Sequence, residues 1–122
     1  MGKRILVIDD SPTVRYQVSL VLRQAGFDPI EARDGIEGLA TLAKTPGTAM
    51  IICDVNMPRM DGLEVVETLH KTGNQVPIVM LTTEGQPSLV ERAQNAGSKG
   101  WIVKPFRTEV LLAAVKRIAG DP

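Results

Sequence analysis

Five short apolar runs set the rhythm of this chain. Ile5-Leu6-Val7-Ile8 stops at Asp9-Asp10, Ala49–Cys53 stops at Asp54, Val76–Leu81 stops at Thr82-Thr83, and Gly100-Trp101-Ile102-Val103 stops at Lys104-Pro105. The fifth run, Phe27–Ala32, is weaker and is interrupted by Pro29. Such runs are too short for helices, and apolar continuity without alternation marks strands covered on both faces. Pro29 cannot donate to a ladder, so its strand is expected at an edge of the sheet.

Between these runs the apolar period changes from continuous to helical. Ser11-Pro12 opens a helix whose buried face is Val14, Val18, Val21, Leu22 and Ala25, ending at Gly26. Asp10 can cap this helix as well as bind a cation. Asp34 and Glu37 are spaced as a capping box before Ile36, Leu39, Ala40 and Ala43, and Pro46-Gly47 breaks that helix. Asp61 and Glu64 repeat the spacing before Leu63, Val66 and Leu69. A fourth helix starts about Pro87, carries Leu89, Ala93 and Ala96, and stops at Gly97. The last begins near Thr108 and buries Leu111, Leu112, Val115 and Ile118. Five strand-then-helix units in strict alternation predict an α/β fold: a doubly wound, five-stranded parallel sheet with helices on both faces.

The length of 122 residues fits one domain over 1–122, with no output domain expected. Fourteen basic residues balance fourteen acidic ones, so no global field draws the chain to nucleic acid or anionic lipid. No stretch is long and apolar enough for a membrane span, and the first apolar run ends too early for a signal peptide. Leu6 makes Gly2 a poor myristoylation site. A cytoplasmic address is expected. Cys53, the only cysteine, lies in an apolar run and reads as core packing. His70 is the only histidine, late in a helix beside Lys71, and reads as a solvated helix end. Met57 and Met60 read as loop packing. The glycines assemble no phosphate-binding loop of the GxxxxGK[ST] kind.

If the strands are parallel, the residues that end them share one rim of the sheet. Asp9, Asp10 and Asp54 would repel one another there unless a cation sat among them. Carboxylates, a carbonyl and waters form the donor set of Mg²⁺. Lys104 adds a point charge and Thr82 a hydroxyl, both suited to phosphate oxygens. A carboxylate nucleophile with a metal, a cation and a hydroxyl specifies phosphoryl transfer onto an aspartate.

Four stretches carry a family resemblance: Ile8-Asp9-Asp10-Ser11, Asp54-Val55-Asn56-Met57-Pro58-Arg59-Met60-Asp61-Gly62, Leu81-Thr82-Thr83-Glu84 and Lys104-Pro105-Phe106. In this order and spacing the chain resembles the receiver domain of two-component response regulators, most of all the stand-alone chemotaxis regulators. The resemblance covers essentially the whole chain. It implies a flavodoxin-like (βα)5 fold with strand order 2-1-3-4-5. It also implies that Asp54 accepts a phosphoryl group from a phosphohistidine on a sensor histidine kinase or phosphotransfer protein. Asp10 and Asp54 would ligate Mg²⁺ through carboxylates, Asn56 through its backbone carbonyl, and Asp9 largely through water. Lys104 would pair with phosphoryl oxygens, Thr82 would hydrogen-bond the group once present, and Trp101 occupies the aromatic switch position. The Lys104–Pro105 bond is typically cis in the family. Asn56 and Glu84 match positions that tune dephosphorylation. The resemblance implies a monomer that binds a downstream protein through its last strand and last two helices.

Two departures stand out. Trp101 replaces a Tyr, Phe or His, a larger ring for an inward pocket. Thr83 replaces a small residue, and its bulk is expected to narrow access to Asp54. Alternation along the last strand argues that Trp101 does not point at the phosphoryl group but faces the flanking helices. Two other functions compete with this one. A phosphatase of the haloacid dehalogenase type wants a second Asp two residues after the nucleophile. Asn56 stands there, and an amide delivers no proton. A pseudo-receiver that only binds partners is opposed by the intact set of Asp9, Asp10, Asp54, Thr82 and Lys104.

Overall fold

A computed structural model describes residues 2–83 and 87–122. Within them β1 (Arg4–Ile8), α1 (Pro12–Gln24), β2 (Asp28–Ala32), α2 (Gly35–Lys44) and β3 (Thr48–Asp54) come first. They are followed by α3 (Gly62–Lys71), β4 (Ile78–Thr83), α4 (Pro87–Ala96), β5 (Gly100–Lys104) and α5 (Thr108–Ala119). The strands form one parallel sheet in the order β2-β1-β3-β4-β5. Pro29 lies on the outer strand β2, as its missing N–H requires.

Alternation along the strands divides the core in two. Leu6, Ile8, Ile51, Cys53 and Met80 meet Leu42 of α2, Leu63, Val66 and Leu69 of α3 and Ala93 of α4. Ile5, Val7, Ile52, Leu81 and Ile102 meet Val18 and Leu22 of α1 and Leu111 and Val115 of α5. Both sheet faces are covered, which is why β1, β3 and β4 read as unbroken apolar runs.

The helix starts follow the sequence closely, with two corrections. The α1 cap is Ser11, whose hydroxyl accepts from the Val14 N–H (3.3 Å), and not Asp10. At α2, Asp34 caps by accepting from the Glu37 N–H (2.9 Å), but the return bond is missing. Glu37 instead accepts from the Arg33 N–H (3.1 Å) and pairs with the Arg33 side chain. The full capping box forms at α3, between Asp61 and Glu64.

The buried face of α2 also differs from expectation. Ile36 is 47% exposed and Ala40 and Ala43 are exposed, whereas Gly35, Gly38 and Leu42 are buried. A Cβ at Gly38 would collide with Ile8, so the helix rests on the sheet through its glycines. The strand β4 begins at Ile78, two residues after the expected Val76. Val76 gives its N–H to the Asn74 side chain, and Pro77 has none to give. The Pro77 carbonyl still accepts from Ile51.

Candidate functional site

Parallel strands deliver their carboxyl ends to one rim, and β1, β3 and β5 bring Asp9, Asp54 and Lys104 together there. Asp9 is fully buried and held from every side. Its Oδ1 accepts the Ser11 N–H (2.9 Å), its Oδ2 accepts from Lys104 Nζ (3.1 Å), and its backbone carbonyl accepts from Arg15 Nη1 (2.6 Å). Its own N–H reaches Ala32 O (3.1 Å). Asp10 is exposed beside it. Asp9, Asp10 and Asp54 each offer a carboxylate oxygen, and these oxygens lie within 4.8 Å of one another. Hard oxygen donors at such spacing, on strand ends that cannot move apart, fit a hard divalent cation.

Asp54 is 6% exposed. Its Oδ1 faces Lys104 Nζ at 3.3 Å and takes a long bond from the Asn56 N–H at 3.4 Å. Burial, together with the neighbouring Asp9 charge, raises its carboxyl from the usual carboxylate range to about 6, against the pull of Lys104 and the Asn56 N–H. At Lys104 burial alone would lower the ammonium, but the Asp9 hydrogen bond and the two carboxylates outweigh it and the net shift is upward. Cys53, one residue before Asp54, is pushed up by burial and by the nearby carboxylates, so the thiol stays protonated. It is core packing, as expected. His70 is exposed in the last turn of α3, also as expected.

Thr82 is buried at the end of β4, and its hydroxyl donates to Thr83 O (3.1 Å). The register sets Thr82 beside Val103 and Met80 beside Trp101, so Thr82 and Trp101 share one sheet face. The Trp101 ring is half-exposed between two grooves, one lined by Pro87, Val90, Glu91 and Gln94 of α4, the other by Val110, Ala113, Ala114 and Arg117 of α5. It occupies no inward pocket. Thr83 is exposed on the opposite face, in a groove it shares with Val14, Gln17, Lys104 and Phe106. The Lys104–Pro105 bond is cis. Glu84 lies outside the described residues.

Sequence reasoning missed two arginines. Arg15 joins α1 to the Asp9 carbonyl and to Glu31 of β2 (3.2 Å). Arg59 reaches across to Asp34, and both its Nε (2.9 Å) and its Nη2 donate to Asp34 Oδ2. No local period announces either contact, since each joins residues from different units.

Fold and site together define a class: flavodoxin-like proteins that present a buried carboxylate, a lysine and an acidic pocket on the sheet rim. The response regulator receiver domain family model matches residues 5–116. A chemotaxis protein CheY homolog of Campylobacter jejuni is 38% identical over 120 residues, spanning 96% of this chain and 92% of that one. Chemotaxis protein CheY1 of Helicobacter pylori is 37% identical over 96% of this chain and 97% of its own. The crystallised chemotaxis protein CheY4 of Vibrio cholerae superposes with a TM-score of 0.89 at 39% identity, covering 97% of this chain and 99% of that one. The chain belongs to the response regulator receiver domain family, whose members take a phosphoryl group on an aspartate with Mg²⁺ bound at an acidic pocket. No helix among the described residues is long and apolar enough to cross a membrane.

Proposed function

We propose that this chain is a phosphorylation-dependent signalling switch in which Asp54 is the acceptor, and that it works in a chemotaxis-type relay like those its relatives are named for. The observation that carries the assignment is the environment of Asp54. Of the rim carboxylates it alone is buried beside a like charge with its Oδ2 unpartnered among the described residues. Asp9 has both oxygens engaged, which supports an indirect role through water, and exposed Asp10 supports direct ligation. Asp10, Asp54 and the Asn56 carbonyl would hold Mg²⁺, which when bound neutralises charge on the phosphoryl oxygens.

The chain's own residues do the rest. An Asp54 oxygen attacks the phosphorus of a phosphohistidine on a histidine kinase or phosphotransfer protein. The new O–P bond forms as the P–N bond breaks, and the imidazole leaves with the electron pair and takes a proton from water. Lys104, fixed between Asp9 and Asp54, is placed to follow the phosphoryl oxygens. The Thr82 hydroxyl, turning from Thr83 O toward the new group, would disturb Val103 beside it and Trp101 beyond. Trp101, Val103 and Val110, 50%, 38% and 48% exposed, make an apolar surface over α4, β5 and α5 for a downstream protein. Glu91 and Arg117 border it, and Arg92, Asn95 and Lys116 are exposed on the same two helices. Autocatalysed gain and loss of phosphate, a monomeric state and a cytoplasmic address complete the reading.

The test is labelling with acetyl phosphate, read by intact mass. Wild type with Mg²⁺ should gain one phosphoryl group, while Asp54→Asn and an EDTA-treated sample should gain none. Undiminished labelling of Asp54→Asn overturns the assignment.

A further inference from the structure

The loop between β3 and α3 carries Asn56; Met57 and Met60 pack it on the core, and its outer half is also fastened to the start of α2 by polar contacts. Arg59, the one non-glycine residue with positive φ among the described residues (66°), directs its guanidinium onto Asp34. Asp34 divides its oxygens between two tasks: Oδ1 caps α2 through the Glu37 N–H and Oδ2 holds Arg59. The next residue adds a backbone bond, Gly35 N–H to Met60 O at 3.3 Å. Gly35 is glycine because a Cβ there would press on Met60 and Val65. At its inner end the loop is tied by the Asn56 N–H to Asp54. Only Met57 and Pro58 separate the two anchored ends.

An exposed ion pair contributes little, but this one is exposed on one side only: the Arg59 side chain is 54% exposed and that of Asp34 5%. A left-handed arginine is kept only where its surroundings determine it. Held in this way, the loop presents the Asn56 carbonyl without first having to be ordered. We propose that Arg59 is a positioning residue for the cation site, acting through Asp34 to hold the β3–α3 loop in its Mg²⁺-binding shape. The proposal rests on the reading of Asp10, Asp54 and Asn56 as the Mg²⁺ site.

Electrostatics and positioning predict different signs. If Arg59 were only a positive charge near an acidic pocket, removing it would tighten Mg²⁺, whereas removing the Asp34 charge would weaken it. If the pair positions the loop, both losses weaken Mg²⁺. Calorimetric Mg²⁺ titration without phosphodonor separates the two. Arg59→Gly is the main variant, because glycine accepts the positive φ, and Asp34→Asn, which leaves the loop backbone unaltered, controls for the backbone freedom that glycine adds. Arg59→Gly and Asp34→Asn should each bind Mg²⁺ about tenfold more weakly, the usual scale for a residue that orients a ligand from behind. The double variant should be no weaker than the worse single one, and Arg59→Lys should recover part of the loss. In metal-free Arg59→Gly, amide exchange at residues 56–60 should quicken while that of β3 does not. Arg59→Gly binding as tightly as wild type, or more tightly, overturns the proposal. A wild type that takes up no Mg²⁺ overturns the cation reading beneath it, a separate result.

Discussion

Asp34 and Asp54 are both buried carboxylates on the same rim, paired with Arg59 and Lys104 respectively, and their pKa values are shifted in opposite directions. Asp34 is lowered, first by the Glu37 N–H and then by Arg59, with burial working against them. Asp54 is raised to about 6 because burial and Asp9 outweigh Lys104 and one long N–H bond. Burial and a salt bridge are common to both, so neither distinguishes the proposed acceptor from a structural carboxylate. The difference lies in how fully the charge is answered. At Asp34 both oxygens are supplied with donors, which makes it a fixture of the fold. At Asp54 a like charge is adjacent and Oδ2 is left over, which is what the proposed role as metal ligand and phosphoryl acceptor calls for.

Neutralising the two carboxylates should move stability in opposite directions. In EDTA at pH 7, Asp54→Asn should be more stable than wild type. The native carboxyl keeps its proton up to about 6, while the unfolded one releases it near 3.8, so stability falls as pH rises through that window and stays low above it. The shift corresponds to about 2–3 kcal/mol at most, or roughly 5–10 °C in melting temperature. Near pH 4 the advantage should vanish. A variant that melts below wild type at pH 7 would remove the basis of the contrast.

Lys104→Met sharpens the same corner. It leaves fully buried Asp9 facing Asp54 with no cation between them and should cost about 2 kcal/mol in EDTA. In an Asp54→Asn background the cost should shrink, and equal costs in both backgrounds would mean the three groups are uncoupled.

At the other corner Asp34→Asn should be destabilising, by about 1 kcal/mol, because the amide keeps the cap but weakens the hold on Arg59. Thermal melts at pH 7 check the sign, which must be opposite to that of Asp54→Asn. Asp34 has a lowered pKa, so its contribution is present above about pH 4 and lost as pH falls through the folded value.

The smallest effect is optical. Beryllofluoride with saturating Mg²⁺ should alter Trp101 emission in wild type and in Asp34→Asn. Thr82→Ala should blunt the change and Asp54→Ala should abolish it. A fixed signal in protein shown by mass to be phosphorylated would place the output surface away from Trp101.

The chain's own pattern determined the strands and helices and the rim where Asp9, Asp54, Thr82 and Lys104 gather, because strand and helix periods and caps are local. Its motifs also implied Mg²⁺ and the cis Lys104–Pro105 bond through family resemblance. The phase of α2 was not legible. There the contact surface is the absence of side chains at Gly35 and Gly38, and an apolar count cannot register an absence. Nor could any period reveal that Arg59 grips Asp34, or that Asp9 uses up its oxygens while Asp54 keeps one. Those outcomes depend on distances between separate βα units, and only packing the units onto a common sheet sets them. The sequence therefore settled which groups stand on the rim. Packing set which of the buried carboxylates is left wanting a partner.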